Sequence, residues 1–191
     1  KKVFGYLRKA KTRDLSKSVI FGIKKANNDV VLVMDCDLQH DSNYIQHMWK
    51  KFKKKECDVV IGSRFAEGAS TFDIGGSRRI AMRFLAFLLS KITRSDLTDV
   101  TSGFRASGPQ AIKLFATSYP PEYLGDTIES LVIAHRNGLS IVEVPTTIRE
   151  RNSGTSSQST MKALVYTLRA FAVIFLSLLH RAPKSEAELV A

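Results

Sequence analysis

The sequence predicts an α/β fold on a mostly parallel sheet, and three stretches carry that prediction. Val30-Val31-Leu32-Val33-Met34 is a five-residue apolar run with three valines, too short for a typical helix and composed like a buried parallel strand. Ahead of it, residues 13–26 place apolar side chains at 15, 19, 20, 23 and 26, which is helical spacing, with Asn27-Asn28-Asp29 as the stop. Beyond it, residues 57–61 form a second short strand, closed by Gly62-Ser63-Arg64. Strands alternating with helices in this way build α/β units.

The first strand runs directly into Asp35, Asp37 and Gln39. In an extended chain residues two apart point the same way, so these three oxygen-bearing side chains can converge. Two carboxylates and an amide suit a hard cation such as Mg²⁺ or Mn²⁺. They also stand at the strand end where open α/β sheets bind ligands. The competing reading is that Asp35 and Asp37 shape a turn or cap the next helix. Cys36, between them, should face the other side of the strand. Neither it nor Cys57 sits in a Cys-x-x-Cys pair, and both read as free thiols in a reducing compartment.

A chain of 191 residues is one domain's worth and can bury a sizeable core. Its 29 basic and 18 acidic residues leave a net charge of +11, which favours an anionic partner: nucleic acid, a phosphorylated ligand or a membrane surface. Part of that excess has a plainer source, because Lys50, Lys51, Lys53, Lys54 and Lys55 crowd one helix end as a solvated face. The remaining basic residues are dispersed, with no helix-turn-helix or aromatic-plus-basic strand pattern. That argues against a nucleic-acid-binding domain.

The rest of the chain continues the alternation. Asp41-Ser42 can cap a helix reaching about Lys54, with Ile45, Met48, Trp49 and Phe52 inward. Arg64, following a Gly-Ser turn at a strand end, suits a phosphate contact or a plain surface position. Residues 66–77 read as loop, and Arg78–Ile92 as an amphipathic helix with Ile80, Phe84, Leu85, Leu88 and Leu89 inward. Arg78 and Arg79 oppose the dipole at that helix's start, which points to a bound anion. Residues 99–106 read as a polar turn. Helices are expected near 109–116 and over 127–137, the second stopped by Gly138. Asp126 and Glu129 open the latter, where either dipole stabilisation or catalysis explains them. Residues 140–145 form a strand closed by Pro145, at an edge or leaving the sheet. Residues 149–157 make a loop of arginines, glycine and hydroxyls, either a phosphate clamp or a linker. The apolar stretch 161–180 contains a run of ten residues, against about 20 needed to span a bilayer. It reads as an amphipathic helix on a membrane with Arg169 and Arg181 snorkelling, or as a buried core helix. From Pro183 the tail reads as disordered.

Taken together these pieces resemble the family 2 glycosyltransferases of GT-A fold, and within them the dolichol- or polyprenol-phosphate sugar synthases. The matching stretches, in the family's order, are Leu15–Ala26, DCDLQHD at 35–41, VIGSRF at 60–65, DVTSGFRA at 99–106, GDTIES at 125–130, IVEVP at 141–145 and RNSGTS at 151–156. The family's N-terminal strand and its Pro-x-(Tyr/Phe)-Asn-Glu segment have no counterpart, so the chain is expected to be a piece of a longer protein. The resemblance implies a catalytic domain over 1–158, an apolar helix over 159–182 and a tail over 183–191.

It further implies that Asp35 binds the nucleotide side, and that Asp37 and Gln39, with Asp35 beside them, hold Mg²⁺ or Mn²⁺ on the diphosphate. Arg64, Arg78 and Arg151 would neutralise phosphates and Ser156 would donate to one. The family's last motif continues with Lys where this chain has Ser157. The expected activity is inverting transfer of a sugar from a GDP- or UDP-linked donor to a polyprenyl or dolichyl phosphate, on the cytoplasmic face of a membrane. An ionised lipid phosphate needs no base, whereas a glycan or protein hydroxyl would need one from Asp99, Asp126 or Glu129.

Overall fold

The computed structural model describes residues 5–6, 15–69, 76–120, 126–149, 168, 170–172 and 174–175. Helix α1 (Leu15–Lys25) leads into strand β1 (Val31–Val33), followed by α2 (Tyr44–Lys53) and β2 (Val59–Ser63). Next come α3 (Gly76–Thr93), β3 (Arg105–Ser107), α4 (Pro109–Ser118), α5 (Asp126–Arg136) and β4 (Ile141–Pro145). The sheet order is β1-β3-β2-β4. Strands β2 and β4 are parallel, while β3 runs antiparallel to both β1 and β2. Three of the four strands therefore point the same way, but β3 is inserted against them, so the sheet expected to be mostly parallel is mixed, with two of its three pairings among the described strands antiparallel.

The pleat of β2 divides the core. Val59 and Ile61 face one side, with Leu85, Leu89, Phe115, Ile128 and Leu131 from α3, α4 and α5. Val60 faces the other, with Met48, Phe104, Ala106 and Val144. Helices thus cover both faces of one sheet, as the predicted α/β class requires. Gly62 is obligatory in this packing: a Cβ there would stand 2.5 Å from the Phe104 ring and 3.0 Å from Thr146.

The structure corrects several expectations. Residues 105–107, read as part of a turn, form β3; the Arg-Ala-Ser triplet has little strand character of its own, and pairing on both edges makes it one. Strand β1 is half-buried and lies at a sheet edge among the described strands, not in the middle. Three residues expected inward are exposed: Trp49, because α2 buries Met48 instead, and Ile80 and Phe84, because the buried face of α3 is centred on Met82, Leu85, Ala86 and Leu89. Helix α2 starts at Tyr44 without a side-chain cap; Asp41 instead accepts the Asn43 N–H at 3.0 Å. Cys36 is exposed, and burial pushes the Cys57 thiol up to about 11. The reading of 150–167 and 176–191 lies outside the described residues. Leu168, Ala170–Ala172, Ile174 and Phe175 are helical; Ala170 and Ile174 are buried in the core, while Leu168 and Phe175 are exposed. No helix among the described residues is long and apolar enough to cross a membrane.

Candidate functional site

Strand β1 ends at Val33, so the simple two-residue alternation does not extend to Gln39. Residues 36–38 bend, with Leu38 in the left-handed region at φ 62°, and the Asp37 carboxylate accepts the Gln39 N–H at 3.2 Å. The turn reading of Asp37 is therefore part of the truth. The bend is tied down across the site. Gln39 accepts the Arg149 N–H at 2.9 Å and returns a side-chain bond from Nε2 to the Arg149 carbonyl at 3.2 Å. Asp35 is exposed and Asp37 half-buried, which leaves both reachable from solvent.

His40, which has no local sequence signal, follows the bend and bridges to Ile148. Its ring stacks on Phe104 at 4.8 Å, and its Nδ1 is buried without a hydrogen-bond partner among the described residues. Burial holds the imidazole below the ordinary histidine value, opposed by the charges of Asp35 and Asp37; Arg64 and Asp99 also act on it. The charges of Asp35, Asp37, Arg64 and Asp99 all act on this one ring, so the four lie around it.

Within that cluster Arg64 is held in one orientation. Asp99, with no exposed side-chain surface, receives its Nε at 2.5 Å, its Nη2 at 2.7 Å and its backbone N–H at 3.1 Å. Thr101 Oγ1 accepts a further bond from Nη2 at 2.8 Å. Asp99 itself is set by Glu143 on β4, whose half-buried carboxylate accepts the N–H groups of Thr98 and Asp99 and the Thr98 hydroxyl at 2.6–2.9 Å. Burial raises the Glu143 pKa, and these hydrogen bonds oppose the rise. A carboxylate so engaged with a guanidinium positions Arg64; it is poorly placed to take a proton from an acceptor.

Asp126 and Glu129 form a separate pair on the first turn of α5. Asp126 accepts the Ser16 hydroxyl at 3.3 Å and the Thr127 N–H at 2.8 Å. Burial raises the pKa of both, and for Glu129 the neighbouring Asp126 charge adds to it. Arg105 joins this pair to the first cluster. Its buried guanidinium donates to the carbonyls of Val100, Ser102 and Thr127 and to the Ser130 hydroxyl, fastening the 99–102 loop to α5. Gly103, next in that loop, faces Asp35, whose Oδ2 lies 3.9 Å from where a Cβ would stand. Arg78 falls in the first turn of α3, while Arg151 and Ser156 lie outside the described residues.

Asp35, Asp37 and the Gln39 amide oxygen are hard donors fit for Mg²⁺ or Mn²⁺. Among the described residues no group of three or more His, Cys, Asp or Glu could hold an ion. Two carboxylates alone suit a cation that completes its shell with water and ligand phosphates.

The sequence profile named Glycosyl transferase family 2 matches residues 1–113, well over half of the chain. The chain belongs to that family. A dolichol-phosphate mannosyltransferase from Pyrococcus furiosus is 30% identical over 153 residues, covering 78% of this chain and 42% of its own length. A UDP-N-acetylglucosamine–dolichyl-phosphate N-acetylglucosaminyltransferase from Methanococcus voltae is 25% identical, covering 73% and 57% respectively. The family 2 chain described here thus spans about half the length of these relatives. Among solved structures, glucosyl-3-phosphoglycerate synthase from Mycobacterium tuberculosis, in complex with Mn²⁺, UDP-glucose and phosphoglyceric acid, superposes with a TM-score of 0.63. It shares 15% identity, over 87% of this chain and 55% of its own. That likeness establishes the GT-A arrangement of sheet and helices expected of a family 2 chain.

Proposed function

We propose that this chain is the donor-binding part of an inverting glycosyltransferase that moves a sugar from a GDP- or UDP-linked donor to a polyprenyl or dolichyl phosphate. The observation that carries the reading is a carboxylate bend at a strand end and an arginine locked by Asp99, with the His40 ring within electrostatic reach of both. A divalent cation on Asp35, Asp37 and Gln39 would neutralise charge on the donor diphosphate. Arg64, already oriented, binds a phosphate without losing side-chain freedom on arrival, which is the form of electrostatic preorganisation that stabilises a developing anion. Arg78, Arg151 and Ser156 are proposed to add further phosphate contacts.

In the reaction the sugar C1–O bond to the diphosphate breaks, and the nucleoside diphosphate leaves with the electron pair. A phosphate oxygen of the acceptor forms the new bond to C1 from the opposite face, inverting that carbon. The acceptor oxygen is already ionised, so no proton need be removed. The relatives named for dolichyl phosphate support this acceptor. One observation favours a hydroxyl acceptor instead: Asp126 and Glu129 have raised pKa values, as a general base would. Work at a lipid phosphate would place the protein peripherally on the cytoplasmic face of a membrane.

Calorimetric titration of UDP and GDP, with and without Mn²⁺, on the parent protein and on Asp37→Ala tests the donor site. Metal-dependent binding of one nucleotide, abolished in the variant, is expected. A folded protein that binds neither would remove the basis for the proposal. Transfer of labelled sugar to polyprenyl phosphate but not to a glycan hydroxyl then separates the two acceptors.

A further inference from the structure

Helix α3 is apolar on two faces. Met82, Leu85, Ala86 and Leu89 pack into the core, yet Ile80, Phe84 and Phe87 on the other side are 71%, 50% and 55% exposed. Their spacing of four and three residues aligns them in one stripe. Phe84 meets Phe171 with ring centroids 5.6 Å apart. Leu168 and Phe175, three residues before and four after Phe171, fall on the same helical face and are 60% and 62% exposed. The two stripes thus join at the Phe84–Phe171 contact. A soluble surface seldom leaves several large apolar side chains together unless something covers them.

Charge identifies what covers them. Arg83 and Lys91 are exposed on the same side of α3, and the Lys91 ammonium stands 5.6 Å over the Phe87 ring. The 18 residues of α3 contain four basic side chains and no acidic one, on a chain of net charge +11. A second copy of this surface would bring like charges together, whereas an anionic lipid headgroup supplies the opposite sign. Aromatic rings beside Arg and Lys also match the chemistry of the bilayer interface, where rings enter the acyl boundary and cations stay at the headgroups.

We propose that the outer face of α3, continued by Leu168, Phe171 and Phe175, docks on an anionic bilayer. The proposal deepens the lipid-phosphate reading and rests on it for its role, by naming the surface that meets the membrane.

Flotation with phosphatidylcholine vesicles, with and without phosphatidylglycerol, tests it on the full chain. The parent protein is expected to float with the anionic vesicles and to release in high salt. Ile80→Ser/Phe87→Ser, at two exposed positions, should weaken partitioning by about tenfold or more. Arg83→Glu/Lys91→Glu should abolish the preference for anionic lipid, with losses of about fivefold per charge removed. Unfolding midpoints equal to the parent's confirm that both variants fold. Absence of flotation, or flotation of both variants like the parent, overturns the proposal. So does a dimer that Ile80→Ser/Phe87→Ser dissociates without any vesicle binding, which would assign the face to a second copy. Sugar transfer to detergent-solubilised polyprenyl phosphate, measured alongside, separates the two claims. Transfer without flotation sinks the docking face alone, and flotation without transfer sinks the acceptor reading alone.

Discussion

Replacing Asp99 with alanine removes the acceptor of three bonds from Arg64 and one from Thr101 while leaving the guanidinium in a site where its side chain is only 16% exposed. Breaking a buried pair from one side costs about 3–5 kcal/mol, because an uncompensated charge stays behind. Against a typical domain stability of about 5–15 kcal/mol, that is a large fraction. Arg64→Met is expected to cost about as much, since it strands a fully buried carboxylate. Arg64→Met/Asp99→Leu removes both charges, so its loss should be smaller than the sum of the singles, with a coupling of about 2 kcal/mol or more. Guanidinium chloride unfolding followed by circular dichroism measures this as shifts in midpoint at constant m. Donor-nucleotide titration on the double variant supplies the functional arm: stability recovers while nucleotide binding stays lost. Losses under about 1 kcal/mol for Asp99→Ala, or strict additivity, would refute the reasoning that the pair is a buried unit.

Three further outcomes follow from neighbouring contacts. Gly62→Ala drives a methyl into the Phe104 ring and should cost about 1–3 kcal/mol in the same assay, with His40 stacking disturbed; an unchanged midpoint would show that Phe104 moves freely. Glu143, raised above its ordinary value of 4.5 by burial, favours the folded state while protonated, a contribution present below that value and lost as pH rises through the raised pKa. Relative to Glu143→Gln, the parent should therefore lose stability as pH climbs from 4.5, and a parallel pair of pH curves contradicts this. Asp126→Asn removes the second cause of the raised Glu129 pKa and should move it downward in a carboxyl-carbon NMR titration, whereas no movement would mean the two groups do not interact.

The carboxylate bend and the arginine turn are legible because they sit where short apolar strands end, and such runs are visible in one dimension. Asp35, Asp37 and Gln39 could be picked out by residue type and place, and Arg64 by the Gly-Ser turn before it. His40, Glu143 and Arg105 were not. His40 gave no local pattern, and Glu143 lay inside a strand read only for its apolar neighbours. Arg105 belonged to a stretch read as turn, although an arginine between a phenylalanine and an alanine was a signal that it points into the fold. Arg105 reaches Thr127, 22 positions away, Glu143 reaches Thr98, 45 away, and His40 stacks on Phe104, 64 away, contacts that sequence spacing does not encode.

By itself the sequence determined the α/β class, the order of the helices and of strands β1, β2 and β4, the family and the carboxylates at the end of β1, all of which follow from local patterning and residue chemistry. Only the tertiary structure decided that 105–107 becomes an antiparallel strand, that Asp99 is committed to Arg64, and which side of α3 is buried. The physical reason is the same in each case. A weak local preference is overruled by the pairing of backbone groups, by the need to satisfy a buried charge, or by the one helix face that fits the core.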